Sequence, residues 1–100
     1  MRRGTTPTHI FTLPFGTDTV DKIRVVYKQD GEVKIVKSEA DADITENKIS
    51  VKLSQEETLS LNSDSKTHIQ LRILTSGGDA LASKVYIKHT GECLDDEVLE

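Results

Sequence analysis

Three histidines, one cysteine and two acidic clusters are the residues of this chain whose chemistry is easiest to imagine at work. His9, His68 and His89 are the side chains that titrate near neutrality. His68 and His89 bracket one alternating stretch, HIQLRILTSGGDALASKVYIKH, and at first sight resemble a metal pair. In a β-hairpin, however, one is at an even and the other at an odd position, which puts them on opposite faces unless a bulge intervenes. Zinc also needs a third or fourth ligand, and Cys93 has no partner at finger-like spacing. No metal site is expected, and the histidines read as surface or strand-end residues.

The run Asp41-Ala42-Asp43-Ile44-Thr45-Glu46-Asn47 suggests calcium. A helix-loop-helix calcium loop requires Gly at its sixth position and Glu at its twelfth, and here those are Glu46 and Lys52. The run therefore reads as a solvated acidic loop. Serines and threonines are plentiful, yet no G-x-S-x-G occurs and Cys93 lies near no candidate base. Asp95 and Asp96 form a carboxylate pair only in a segment where nothing is expected to fix their separation. Gly77-Gly78 opens no helix, so it is not a phosphate loop. The chain is read as non-enzymatic, with no catalytic residue, no cofactor and no small-molecule substrate.

The elements that must position any surface follow from period-two alternation. His68 to His89 reads as one long hairpin. Ile69, Leu71 and Ile73 share a face, Gly77, Gly78 and Asp79 make a three-residue loop, and Leu81, Val85 and Ile87 resume the apolar pattern. The expected register sets Ile69 opposite Ile87, Leu71 opposite Val85 and Ile73 opposite Ser83. Earlier, Thr8 to Leu13 alternates with His9, Phe11 and Leu13 on one side, and Pro14 and Gly16 end it. Pro14 marks this strand for a sheet edge or a crossing between sheets. Asp21 to Gln29 places Ile23, Val25 and Tyr27 together, and Asp30-Gly31 supplies the positive φ of a tight turn into Glu32 to Ser38. Residues 39 to 46 are either a loop or a short edge strand ending at Ile44. Lys48 to Leu53 is a clean strand with Ile49, Val51 and Leu53 aligned. Ser54-Gln55-Glu56-Glu57 fits the S-x-x-E capping box of one short helical turn, and Asn62 to Ser65 is a turn.

About seven short strands at roughly ten-residue spacing, with one short helical turn, predict an all-β, immunoglobulin-like antiparallel β-sandwich. One hundred residues suffice for a single such domain. The expected division is a flexible arm over residues 1–7, the sandwich over 8–90, and an acidic, mobile tail over 91–100. That tail holds five carboxylates and no Lys or Arg, which leaves a charge of +1 on the remainder of a chain of net charge −4. With that balance, and with only four aromatic residues, neither duplex nor single-stranded nucleic acid is an expected partner. A single cysteine allows no internal disulfide. No apolar run approaches membrane-spanning length and no signal-peptide pattern opens the chain, so no membrane contact and no secretion are expected.

The segments RGTTPTHIFTLPF, NKISVKLSQEETLSL and IQLRILTSGGDALASKVYIK, in that order, resemble the small β-sandwich modules of tailed-phage and prophage structural proteins, most of all the N-terminal domain of phage baseplate upper proteins. The likeness spans most of residues 3–89 and rests on strand patterns. It implies a virion structural protein of a phage or prophage tail or baseplate, acting through protein contacts or self-association, located in the virion or, during assembly, in the bacterial cytoplasm. Members of that family continue into further domains, whereas an acidic segment of ten residues follows the sandwich here, which leaves a stand-alone accessory role open. The alternative is a cytosolic immunoglobulin-like binding or adaptor module that recognises a peptide or carbohydrate. On either reading the candidate contact surface is the hairpin tip, Gly77, Gly78 and Asp79, together with the tail residues Cys93, Leu94 and Val98.

Overall fold

The computed structural model describes all 100 residues, Met1–Glu100. Eight strands form two antiparallel sheets. The smaller sheet joins β1 (Thr8–Thr12), β5 (Lys48–Lys52) and β4 (Ala42–Thr45) in the order β1-β5-β4. The larger has β3 (Glu32–Ser38), β2 (Val20–Gln29) and β6 (Ser65–Thr75), with β7 (Ala80–Ala82) and β8 (Tyr86–Thr90) both paired to the far side of β6. The alternation seen in the sequence sets the inward faces. Ile23, Val25 and Tyr27 of β2 and Ile69, Leu71 and Ile73 of β6 meet Phe11, Ile49 and Val51 of the small sheet in one core. Each fully buried aliphatic side chain there contributes about 1.5–3 kcal/mol.

A three-stranded B-E-D sheet facing a C′-C-F-G sheet is the immunoglobulin arrangement, and the chain has it: β1, β5 and β4 on one side, β3, β2, β6 and the split β7/β8 on the other. The fold is an immunoglobulin-like β-sandwich. No strand pairs with β1 on the side away from β5, where strand A would pair in the four-stranded ABED sheet. The N-terminus runs elsewhere, with Arg2 bridging Gly91 in parallel beyond the end of β8.

Local signals positioned most elements as expected. Asp30 and Gly31 turn β2 into β3 at φ 51° and 78°. A 3₁₀ turn, Glu39–Asp41, leads into β4 as a short edge strand. Helix α1 (Gln55–Leu59) is closed by the reciprocal box, in which Ser54 Oγ accepts from the Glu57 N–H at 3.1 Å and Glu57 Oε1 accepts from the Ser54 N–H at 2.8 Å.

The long hairpin differs from expectation in register. Thr75 N–H donates to the Asp79 carbonyl at 2.9 Å and Leu74 stands opposite Ala80, so the three-residue loop is Ser76 to Gly78, one position earlier than predicted. Ile73 faces Leu81 rather than Ser83. Between β7 and β8 the return strand bulges at Ser83 to Val85, and below the bulge Ile69 faces Tyr86 and His68 faces Ile87. The one-residue shift reverses the faces. Tyr86, still 38% exposed, takes the core-side position and meets Phe11 edge-on at 5.9 Å, while Val85 and Ile87, expected on the core face, point out; Leu81, opposite Ile73, keeps the expected face but is exposed at the sheet edge.

The physical reason lies at the strand's far end. Thr67 and Thr90 must both point inward to share a 2.6 Å hydroxyl contact within a buried cluster built on Gln29, and an odd-to-even pairing register allows this. The same bulge puts His68 and His89 on one outer face, against the parity expectation. His89 Nε2 lies 4.0 Å from Asp64 Oδ1, and no three His, Cys, Asp or Glu side chains converge as metal ligands.

Candidate functional site

The site begins with the backbone of β1. Leu13 N–H donates to Asn47 O at 2.7 Å and Leu53 N–H donates to Pro7 O at 2.9 Å, so the odd-numbered residues of this strand are those hydrogen-bonded to β5. Thr8, Ile10 and Thr12 therefore turn their N–H and C=O groups outward. An open ladder of this kind is a template for another chain. Charge guards three of the other edges, with Asp43 on β4, Glu32, Lys34 and Lys37 on β3 and Lys88 on β8, while the three-residue β7, ALA, carries none. Strand β1, THIFT, carries no Lys, Arg, Asp or Glu, and Ile10 at its centre is 60% exposed.

Beside this edge, in the gap between the two sheets, runs an open groove of about 310 Å³. His9, Phe11, Ile69 and Tyr86 line it, with Lys88 at its rim. His9 Nδ1 lies 2.7 Å from the hydroxyl of the fully buried Tyr27, tying the small sheet to the large one. Burial lowers the His9 pKa from 6.5, helped by the nearby Lys88 ammonium and the N-terminal ammonium. Burial also raises the Tyr27 phenol well above its ordinary value, with the Glu57 carboxylate adding to the effect. At neutral pH the pair is thus an uncharged strut. Tyr27 is fully buried behind His9, and it is His9 that lines the groove.

The residues expected to form a contact surface lie apart. Gly77, Gly78 and Asp79 sit at the tip of the β6–β7 turn, where Gly78 N–H donates to Thr75 O at 3.0 Å and Asp79 N–H to Thr75 Oγ1 at 3.0 Å. Cys93, Leu94 and Val98 follow β8, which starts its pairing at the opposite end of β6, with Thr90 against Ser65. Eleven residues of strand, about 35 Å at ~3.3 Å each, separate the two groups. Leu94 is 96% exposed, and Cys93 is half-buried with its thiol donating to Asp95 O at 3.2 Å.

Arm and tail, read from the sequence as flexible, meet one another. Arg3 N–H donates to Gly91 O at 3.1 Å, Gly91 N–H to Met1 O at 2.7 Å, and the Arg3 guanidinium reaches Asp96 at 2.9 Å and Leu59 O at 2.8 Å. The edge of β1 lies outside the expected contact residues, although Pro14 marked the strand for a sheet edge and an unpaired edge strand is a contact surface in general.

No family model matches the chain, and no curated protein matches it in sequence. The V domain of amphioxus IgVJ-C2 is a similar solved structure at 10% identity, the likeness covering 91% of this chain and 95% of that chain with a TM-score of 0.36.

Proposed function

We propose that the chain is a non-enzymatic assembly module of a phage or prophage tail or baseplate, which docks into a larger complex by accepting a partner's strand along β1. The observation that carries the reading is the open, uncharged β1 edge with its adjoining groove. The likeness of its strand order to baseplate upper proteins supports the phage setting.

In mechanism, a partner strand bonds to the outward N–H and C=O groups of Thr8, Ile10 and Thr12, each bond contributing about 0.5–1.5 kcal/mol net. Its alternate side chains enter the groove over Ile69 and Tyr86 and cover Ile10. The edge is already held by β5 below and by the His9–Tyr27 strut behind, so little ordering is required on docking. Partners are other structural proteins, and the setting is the virion or the bacterial cytoplasm during assembly.

The test is to tag the chain in its native cell, induce any resident prophage, and identify by mass spectrometry what co-purifies. Stoichiometric recovery with particles, abolished by Ile10→Lys while the circular dichroism spectrum is unchanged, is the expected result. Recovery with soluble host proteins alone rejects the structural role.

A further inference from the structure

The outer face of the larger sheet concentrates charge that the overall balance conceals. Because Ile23, Val25 and Tyr27 and, on β6, Ile69, Leu71 and Ile73 point into the core, the even-numbered neighbours point out. They include Lys22, Arg24 and Lys28 on β2 and Lys66 and Arg72 on β6, all exposed. Arg24 stands directly opposite Arg72 across the ladder, a like-charge pairing that disfavours the isolated sheet. None of these five cations is in an ion pair, since the chain's four ion pairs use Arg3, Lys34, Lys37 and His89. Two carboxylates stand near this face. Glu39 accepts its own N–H and the Ile23 N–H, the latter at 3.2 Å, and these bonds, with the nearby charges of Lys22 and Arg24 contributing in part, hold it below the usual carboxylate range; Asp64 lies near His89. Exposed aliphatics, Val26's neighbour Val36 and further along Ile87, lie among the cations.

We propose that this face binds the acidic segment 92–97 of a second copy of the chain. The charges are complementary: Glu92, Asp95, Asp96 and Glu97 are four carboxylates, of which Asp96 alone is in an ion pair, on a three-quarters exposed side chain. The segment also offers the almost fully exposed Leu94, matched to the aliphatics set among the cations. Nucleic acid would meet no aromatic side chain for stacking there and would leave Val36 and Ile87 uncovered.

In its own copy the segment turns the other way. Gln55 holds Leu99 through two hydrogen bonds of 2.7 and 3.0 Å, and Arg3 holds Asp96, so it lies along α1 and leaves its own basic face free. A tail-to-face contact joins two different surfaces. It is heterologous and propagates into a ring or a filament. The inference stands on charges remote from β1 and does not depend on strand addition there.

The experiment is sedimentation velocity on the full chain across a concentration series, at about 50 and about 500 mM salt. Association at low salt that is lost at high salt is expected. The double reversal Arg24→Glu with Arg72→Glu should weaken it at least about tenfold, and so should Asp95→Lys, Asp96→Lys and Glu97→Lys together. Mixing the two reversed proteins should restore association, because each then offers what the other lacks. Thermal melts confirm that the variants fold, and Arg24→Gln with Arg72→Gln replaces the reversal if it does not. A chain that stays monomeric at about 1 mM and low salt overturns the proposal, as does association indifferent to both reversals. A monomer that instead binds a mixed-sequence single-stranded oligonucleotide through Arg24 and Arg72 overturns it in favour of nucleic acid. Association abolished by Ile10→Lys but untouched by the reversals reports on the β1 edge and overturns the face alone.

Discussion

The imidazole of His9 and the hydroxyl of Tyr27, 2.7 Å apart, form a polar strut between the two sheets behind the β1 edge. Because burial, Lys88 and the N-terminal ammonium hold the folded His9 pKa below the unfolded 6.5, the unfolded chain takes up a proton first as the pH falls. The stability this group contributes is complete above pH 6.5 and declines below it until the depressed folded value is reached. Urea unfolding at pH 7.5 and at successive steps down to 5 should show that decline. His9→Gln, which keeps a hydrogen-bonding group and removes the titration, should flatten it, and an equal slope in both proteins would place the effect elsewhere.

Gln29, two residues beyond Tyr27 at the C-terminal end of β2, closes that end of the core. Its amide donates to Asn62 O at 3.0 Å and Thr67 Oγ1 at 3.1 Å, and its carbonyl accepts the Asn62 N–H at 2.7 Å, with the Gln29 side chain itself fully buried. Gln29→Leu preserves volume but strands these partners, so a loss of about 2–3 kcal/mol in urea unfolding is expected. Thr90→Val, which removes one hydroxyl from the Thr67 contact, should cost less, about 1 kcal/mol.

At the β6–β7 tip the two adjacent glycines have different reasons to be there. Gly78 has φ 89°, where an L-residue is strained, whereas Gly77 does not have a positive φ and a Cβ on it would meet only Thr75 Oγ1 at 3.9 Å. Gly78→Ala should lower stability by about 1–2 kcal/mol. Gly77→Ala should be neutral or raise it slightly by restricting the unfolded chain. Thermal melts of the two variants separate these outcomes.

The sandwich was legible because its strands alternate cleanly. Ile23-x-Val25-x-Tyr27, Ile49-x-Val51-x-Leu53 and Ile69-x-Leu71-x-Ile73 each declare one buried face, and Asp30-Gly31 and Ser54 to Glu57 declare their own turn and cap. The return strand was not legible. Beyond Ser83 its apolar residues Val85 and Ile87 suggest an inward face that the structure gives to Tyr86 and Thr90, because Gln29 and Thr67, distant in sequence, require Thr90 inside. The basic outer face was equally hidden. Lys22, Arg24, Lys66 and Arg72 are spread over fifty residues and average out against the acids, and only the β2–β6 register gathers them. The edge position of β1 was readable from Pro14, but its exposure as a site depends on no other strand pairing beside it.

Ser83 makes the bulge possible, and this can be tested atom by atom. Its Oγ accepts the Leu71 N–H at 3.0 Å while its own N–H donates to Leu71 O at 2.8 Å, so one residue of the return strand satisfies both backbone groups of Leu71 just where the ladder is interrupted. Ser83→Ala leaves the Leu71 amide without a partner inside a β-sheet. A loss of about 1–2 kcal/mol and faster hydrogen exchange at that amide should follow. Deleting Lys84 should behave differently. It removes the extra residue, brings Val85 opposite Gln70, and keeps Tyr86 opposite Ile69 in a continuous ladder, giving up the Lys84 ammonium's 5.1 Å contact over the Tyr86 ring and the 2.8 Å bond that the Ser83 hydroxyl donates to the Lys84 carbonyl. The deletion should therefore cost less than the Ser83 substitution although it removes a whole residue. If it unfolds the protein, the bulge is required for more than setting which face of β8 is buried.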